Sequence, residues 1–336
     1  MQVSISNLRP MTLNDILDAI FRLYRNNFVT FVGIVALLQV PLILIQLALT
    51  LMFNDVLVTD VMGLIEVIPS FDPTQDSFAE LPITSIATYF IIFFFFAILQ
   101  GIVVQQLING ALAQAISQRY LNQPISIFSA YAFGIDRITS LIVAGVLVTV
   151  ISVFFYGIPL GVFIGLMIGL GVTAGTGGSG AGAAVLGLMI MLVLLVGVVF
   201  VIVMSLFVFA VFLFSTQVIV IEGYGPIGAL RRSWNLVTGS FWRVVGILVV
   251  TWLLVGVLQW LPAYVVQLVL QILFSAPEEF FMLQSFSTIA NYVILIVFLP
   301  IQMTALTLLY YDVRVRKEGL DLELKVHSDN LATEAL

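Results

Sequence analysis

The sequence contains no cysteine and only one histidine, and charged residues make up 9% of its 336 residues. Without cysteine there is no disulfide framework, no thiolate metal site and no cysteine nucleophile. The one histidine, His327, lies in the C-terminal tail, so the sequence assembles neither a Ser/His/Asp set nor an H-E-x-x-H zinc motif. Soluble globular proteins carry about 25% charged residues. So little charge excludes a water-facing surface over most of this chain.

Long apolar runs dominate what is present, and the mean hydropathy is +1.18. Uncharged apolar runs of about 18 residues or more predict membrane spans. In lipid all backbone groups must be paired within the segment, so these spans are predicted to be helices. The first run starts at Phe28 without a small-residue cleavage site after it, which favours a span over a signal peptide. We predict an all-α membrane domain over residues 1–311, a charged cytoplasmic tail over 312–336, and six spans at about 28–53, 84–113, 141–170, 184–212, 244–271 and 287–311.

The twelve basic residues all fall on one side of this predicted topology. They are Arg9, Arg22, Arg25, Arg119, Arg137, Arg231, Arg232, Arg243, Arg314, Arg316, Lys317 and Lys325. The alternate loops contain only acids: Asp55, Asp60, Glu66, Asp72, Asp76, Glu80, Glu278 and Glu279. Since cytoplasmic loops concentrate Lys and Arg, both termini are predicted to be cytoplasmic, with the chain in the plasma membrane of a prokaryote.

Prolines recur in a pattern that predicts three copies of one unit, at about 9–120, 121–222 and 223–311. Each copy opens with a proline (Pro10, Pro124, Pro226) and has a second proline in its first span (Pro41, Pro159, Pro262). The alternative is a chance placement of prolines in apolar sequence.

Each copy also begins with an amphipathic stretch, which predicts cytoplasmic amphipathic helices before spans 1, 3 and 5. The apolar stripes are Leu13, Ile16, Leu17, Ile20, Phe21 and Tyr24; Phe128, Tyr131, Ile135 and Ile138; and Ile227, Leu230, Trp234, Val237 and Phe241. Thr12 with Asp15 predicts a helix cap, and Asp18 with Arg22 predicts an i,i+4 ion pair.

These helices would either anchor the orientation, which is the simpler interpretation, or form a collar for lipid or a partner protein. The residues predicted to contact lipid, through anionic cytoplasmic headgroups, or a partner are Arg22, Arg25, Arg119, Arg137, Arg231, Arg232, Trp234 and Arg243. No nucleic acid is expected among the partners.

Amides are the main polar groups predicted within the membrane: Gln39, Gln46, Gln105, Gln106, Asn109 and Gln267. They would either line a polar path or form hydrogen bonds between helices, the usual role of buried amides in membranes. No ionisable residue falls inside a predicted span, and ion-coupled transporters usually keep at least one.

Two further segments resemble binding sites but lack the necessary residues. The glycine-rich stretch 165–187 has no Lys-Ser or Lys-Thr pair, so it predicts a linker and not a phosphate loop. The acidic loop 54–82 matches no calcium-loop pattern. We expect no cofactor, no metal and no catalytic residue. The ionisable set that a lipid-headgroup enzyme would need is Arg22, Arg25, Arg119, Arg137, Asp136, Arg243, Asp312 and Glu222.

Several local motifs resemble one known family. They are RPMT at 9–12, IFRLYR at 20–25, ALRRSWNLV at 229–237, FWR at 241–243 and LYYDVRVRKEGLD at 309–321. Together they resemble the membrane domain associated with bacterial glycerophosphoryl diester phosphodiesterases. In those enzymes a separate barrel with histidines and metal-binding carboxylates performs the hydrolysis. The resemblance therefore implies a membrane domain of undefined role, with the catalytic barrel absent.

Three functions remain open from the sequence. The leading one is a non-enzymatic membrane scaffold or regulator that binds lipid or a partner protein. The first alternative is a transporter or permease for a lipid or an uncharged solute, which predicts a polar cavity at mid-membrane depth. The second alternative is an enzyme that acts on lipid headgroups.

Overall fold

The computed structural model describes residues 10–56, 59–60, 83–165, 168, 181–274 and 280–319. Within these ranges the chain is helical and contains no strand, which confirms the all-α prediction. The helices are α1 (Leu13–Asn26), α2 (Phe28–Val56), α3 (Ile83–Ile98), α4 (Gln105–Tyr120), α5 (Ile127–Asp136), α6 (Ile138–Ser152), α7 (Ala181–Phe212), α8 (Pro226–Thr238), α9 (Phe241–Leu273) and α10 (Phe280–Glu318).

Six helical stretches are long and apolar enough to cross a membrane, so the chain is a multi-pass membrane protein. They are Phe28–Phe53, Thr84–Tyr120, Ile138–Gly165, Gly187–Glu222, Phe241–Leu273 and Met282–Glu318. The predicted ends of spans 2, 4 and 6 were too early. Hydropathy marks only the length that lipid requires, whereas these helices continue into residues that pack on the protein itself.

Three π-helical segments interrupt the spans, at Leu99–Val104, Val153–Gly157 and Val218–Glu222. The second has a clear cause in Pro159, which lacks an N–H and whose ring clashes with the carbonyl of Phe155, four residues earlier. A wider turn relieves that clash. The two other prolines of the repeat pattern that lie in spans, Pro41 and Pro262, are inside continuous helices.

The chain divides into two compact units, residues 1–138 with 246–336 and residues 139–245. In the first unit α10 packs against α1, α2 and α4, and α4 also packs against α2 and α5. Helices α4 and α5 pack closely at Gly134, where a Cβ would lie 3.6 Å from the backbone nitrogen of Ala111, which is an ordinary van der Waals distance. The fully buried side chains of this unit include Ile16, Ile20, Phe31, Ile108, Leu112 and Tyr310.

The second unit contains α6, α7, α8 and the first residues of α9. Its core lies where α8 packs against the end of α7, around Val211, Phe214, Leu236 and Val237. The rest of α7 carries many exposed apolar side chains, as expected of a helix that faces lipid.

An amphipathic helix precedes span 1 (α1), span 3 (α5) and span 5 (α8). The capping box of α1 is confirmed, with Thr12 N donating to Asp15 Oδ2 at 2.9 Å and Asp15 N donating to Thr12 Oγ1 at 3.3 Å. The predicted ion pair between Asp18 and Arg22 is absent from the described residues, so that prediction is wrong. The threefold repeat and its boundaries stay a prediction.

Each amphipathic helix divides its apolar residues between two edges. One edge is buried in the helix's own unit, and on α1 this edge contains Ile16 and Ile20. The other edge is exposed, through Leu13 and Phe21 on α1, Phe128 and Ile135 on α5, and Ile227 and Trp234 on α8. The predicted stripes are therefore only partly available to lipid, because packing against the protein takes the rest.

Candidate functional site

A fully buried carboxylate ties the start of the chain to its last helix. Asp312 accepts hydrogen bonds from Arg316 Nε at 3.0 and 3.1 Å and from the backbone nitrogen of Met11 at 2.8 Å. Arg316 Nη2 in turn donates to the carbonyl of Met11 at 2.8 Å. This closed arrangement, here called the terminal clamp, gives Asp312 a structural role.

Tyrosines strengthen the same region. Tyr24 donates a hydrogen bond to the carbonyl of Val297 at 2.7 Å, and burial raises the pKa of Tyr24 to about 12. The hydroxyls of Ser117 and Tyr311 lie 2.7 Å apart and are buried. Tyr24 on α1 and Ser117 on α4 thus fix their helices to α10 by hydrogen bonds that low dielectric strengthens.

In the second unit the sequence RRSW at 231–234 has a largely structural function. Arg232 Nε lies 3.0 Å from Glu222 Oε2. Ser233 is fully buried, donates to the carbonyl of Val211 at 2.7 Å and accepts from the backbone nitrogen of Phe214 at 3.1 Å. The ring of Trp234 lies beside those of Phe207 and Phe212. Among the two arginines, Arg231 is the exposed one.

A polar cleft of about 510 Å³ opens between α1 and the end of α4. Its lining carries the charged residues Asp15, Asp18, Arg22 and Arg119, with Asn26 and Asn122 beside them. Arg119 Nη2 donates a long hydrogen bond of 3.4 Å to the carbonyl of Ile125. Its Nε is buried without a hydrogen-bond partner in the structure. We call this the polar cleft.

A second cleft of about 630 Å³ adjoins the first and shares Asp18 and Arg22 with it. Half of its six lining residues are aromatic, and we call it the aromatic cleft. Its other residues are Phe21, Tyr24, Arg25 and Phe28. Phe28 is also the first residue of span 1. The aromatic cleft therefore leads from the polar cleft to the start of a span.

The predicted contact residues are thus only partly assembled. Arg22, Arg25 and Arg119 meet in the two clefts of the first unit. Arg137, also in the first unit, follows α5 as its C-terminal cap. The remaining predicted contact residues lie in the second unit: Arg231, Arg232, Trp234 and Arg243. Of the other members of the catalytic set, Asp136 is exposed at the end of α5 and Glu222 is paired with Arg232.

The predicted intramembrane amides form no single path within the described residues. Gln105 Nε2 donates to Asn109 Oδ1 at 3.0 Å within one helix turn, so these two amides bond to each other on one helix. Gln39 is buried with its Nε2 unpartnered, and Gln46 lines a cleft of about 10 Å³. Gln106 and Gln267 are half-buried.

One polar groove in the first unit was not predicted. It has a volume of about 370 Å³ and is lined by Gln259, Asn291 and Tyr292 among apolar residues of α9 and α10. Tyr292 also pairs with Gln100, whose Nε2 donates to its hydroxyl at 2.8 Å. A polar side chain on each of two spans was visible in the sequence, but nothing in the sequence indicated that these helices face each other.

The segments predicted as linker or solvated loop lie mostly outside the described residues. Those segments are the glycine-rich stretch with Gly175, Gly177, Gly178 and Gly180, most of the acidic loop, and the tail with His327. Gly182 falls within α7, which begins earlier than predicted. Within the described part, Asp60 accepts a hydrogen bond from Ser85, and no cluster of His, Asp and Glu could hold a metal ion.

A family model described as Domain of unknown function (DUF7847) matches residues 25–312. No curated protein and no solved structure matches the chain. The matched range runs from the end of α1 to the carboxylate of the terminal clamp, and so includes five of the six spans completely and most of the sixth.

Proposed function

Because the chain belongs to the DUF7847 family, whose description assigns no activity, we propose its function from its own geometry. The chain acts as a non-enzymatic membrane scaffold or regulator. It binds lipid headgroups and, through the bound lipids, a partner protein. Its role resembles that of the membrane domain associated with glycerophosphoryl diester phosphodiesterases.

The observation that carries this proposal is the divided apolar surface of the amphipathic helices. Phe21 on α1 and Ile227 on α8 are exposed, and the exposed cations Arg25 and Arg231 lie on the same helices. Helices with this composition lie in the membrane interface, with apolar side chains at the acyl boundary and cations among anionic headgroups. The buried edge of each helix holds it on its own unit, so the exposed edge of that helix is fixed relative to the same unit.

The pairing of the acids supports a non-enzymatic role. Asp312 is held by Arg316 and Met11, and Glu222 is held by Arg232. A general acid or base must reach the proton that it transfers. Two of the three acids that a headgroup enzyme would need are thus committed to structural pairs.

The proposed orientation has both termini in the cytoplasm of a prokaryote, by the positive-inside rule. Single cysteines are easily introduced because the chain has none. Cysteines at Ser77 and Ser179, which lie outside the described residues, are expected to react with an impermeant maleimide in intact cells. A cysteine at Thr238, which is exposed, is expected to react only after permeabilisation. Thr238 is chosen over the nearby Ser233 because Ser233 is buried, and burial would block labelling from either side of the membrane. The reverse pattern would invert the topology.

Loss of exposed cations is expected to reduce the binding of anionic lipid. Each Lys or Arg near an anionic surface contributes about 1 kcal/mol, so Arg25→Gln with Arg231→Gln should weaken retention by about 25-fold in total. The measurement is native mass spectrometry of the protein extracted gently from its membrane. The matched control is Arg25→Lys with Arg231→Lys, which keeps the charge and should keep the lipid. Equal retention by the glutamine pair and wild type would refute the proposal.

A second candidate function is a permease for a lipid or an uncharged solute. It is supported by the polar groove at Gln259, Asn291 and Tyr292. The same mass-spectrometric experiment separates the two functions. A retained uncharged solute without lipid, lost on Asn291→Leu, would favour the permease.

A further inference from the structure

We propose that the polar cleft binds the headgroup of one zwitterionic phospholipid, of the phosphoethanolamine class, and that the aromatic cleft receives the glycerol and first acyl carbons of the same molecule. This inference rests on the proposed lipid-binding function and deepens it, because it names a specific site and a specific headgroup chemistry.

Two arginines in the polar cleft lack anionic partners. Arg22 and Arg119 both line it, and neither has an ion pair within the described part of the chain. Within the described residues the Nε of Arg119 is buried without a partner, and the hydrogen bond from its Nη2 to the carbonyl of Ile125 is long, at 3.4 Å. A buried guanidinium N–H without an acceptor requires an explanation. A phosphate supplies it, because its oxygens match the planar donor fork of arginine.

The acids of the same cleft favour a zwitterion over a simple anion. Asp18 is exposed, lines both clefts and forms no ion pair with Arg22 one turn away. Asp15 lines the polar cleft as well, although it also caps α1 through Thr12. An ion with only negative charge would be repelled by these carboxylates, whereas an ammonium group a few bonds from the phosphate is attracted to them.

The aromatic cleft indicates that the ligand is an amphiphile. It continues from Asp18 and Arg22 along Phe21, Tyr24 and Phe28 to the start of span 1. Phe21 is 39% exposed and Phe28 is 42% exposed, although both are large and apolar. Tyrosine is enriched at the membrane interface, at the level of the headgroups, and phenylalanine is typical of the apolar face of helices that lie in this interface. A free phosphate ester would leave this aromatic surface uncovered.

The test uses the full chain, delipidated in detergent and titrated in native mass spectrometry with three probes. The probes are phosphatidylethanolamine, phosphatidylglycerol and water-soluble glycerophosphoethanolamine. We expect one phosphatidylethanolamine per chain, bound at least tenfold more tightly than the soluble ester. Arg22→Gln and Arg119→Gln should each weaken this complex about tenfold, the effect of one charge-assisted hydrogen bond. Asp18→Asn should weaken the binding of phosphatidylethanolamine and strengthen the binding of phosphatidylglycerol.

Arg231→Gln, an exposed cation in the other unit, is the matched control. It should lower the number of loosely bound anionic lipids and leave the one-to-one complex unchanged. Because Arg22 and Asp18 are exposed, their variants should keep the wild-type melting temperature, which shows that the fold is intact.

Three results would overturn the inference. Unchanged affinity in both Arg22→Gln and Arg119→Gln would remove the phosphate site, while leaving the proposed function to the exposed arginines. Equal binding of both phospholipids by wild type and by Asp18→Asn would remove the ammonium site. Tight binding of the soluble ester, unaffected by Phe21→Ala, would assign the cleft to a free phosphate ester and not to a lipid.

Discussion

Replacing Asp312 with alanine is expected to lower the free energy of unfolding by about 3 kcal/mol. Removing one partner of a buried ion pair typically costs about 3–5 kcal/mol. The lower end applies here because the side chain of Arg316 is 35% exposed and can regain water, whereas that of Asp312 is 0% exposed. The backbone nitrogen of Met11 would also lose its acceptor. Asp312→Asn keeps an oxygen for Met11 and should cost about half as much.

The control for this experiment lies six residues along the same helix. Glu318 pairs with Arg314 at the same i,i+4 spacing and the same distance of 3.0 Å, but both side chains reach solvent. Exposed pairs contribute about 0–1 kcal/mol, so Glu318→Ala should have a small effect. The measurement is denaturant unfolding in detergent, followed by tryptophan fluorescence. Equal destabilisation by Asp312→Ala and Glu318→Ala would show that burial of the terminal clamp contributes nothing.

Replacing Ser233 with alanine is expected to destabilise the second unit by about 2–3 kcal/mol. The hydroxyl bonds two backbone groups at the end of α7, the carbonyl of Val211 and the nitrogen of Phe214. Loss of a partner by a buried polar group costs about 1–3 kcal/mol. A lowered melting temperature, with exchange of the amide hydrogen of Phe214 accelerated, is the expected observation.

Ser205→Ala on α7 is the matched control for Ser233. Its hydroxyl donates to the carbonyl of Ile202 within the same helix, at 3.0 Å. Such local bonds compete with the helix and add little to its stability. A loss of stability as large as that of Ser233→Ala would contradict the role given to the hydrogen bonds of Ser233.

Hydropathy was sufficient to predict the six spans, because a bilayer requires about 20 apolar residues in each helix and this chain supplies them with little charge. Local chemistry also predicted the cap at Thr12, since both partners lie within four residues. Tertiary pairing was not predictable. Met11 and Asp312 are separated by 301 positions, and no sequence pattern indicates that they meet.

The same limit applies to the candidate site. The sequence identified Arg22 and Arg119 as separate interfacial cations, but their shared cleft depends on how α1 packs on the bundle. The predicted Asp18–Arg22 pair failed for a related reason, because helical spacing permits an exposed ion pair but stabilises it by only a few tenths of a kcal/mol. Spacing also could not show that the motif at 231–234 holds α7 and α8 together through Ser233.

The terminal clamp has a consequence for the order in which the protein is made. Helix α1, which carries the buried Ile16 and Ile20, is made before α10, which packs against it and supplies Asp312. At synthesis rates of about 5–20 residues per second, α1 waits roughly 15–60 s for that helix. During this interval both of its apolar edges are uncovered, and the membrane surface is the nearest place to hold them. Docking of α1 on α10 can therefore occur only after α10 has been made.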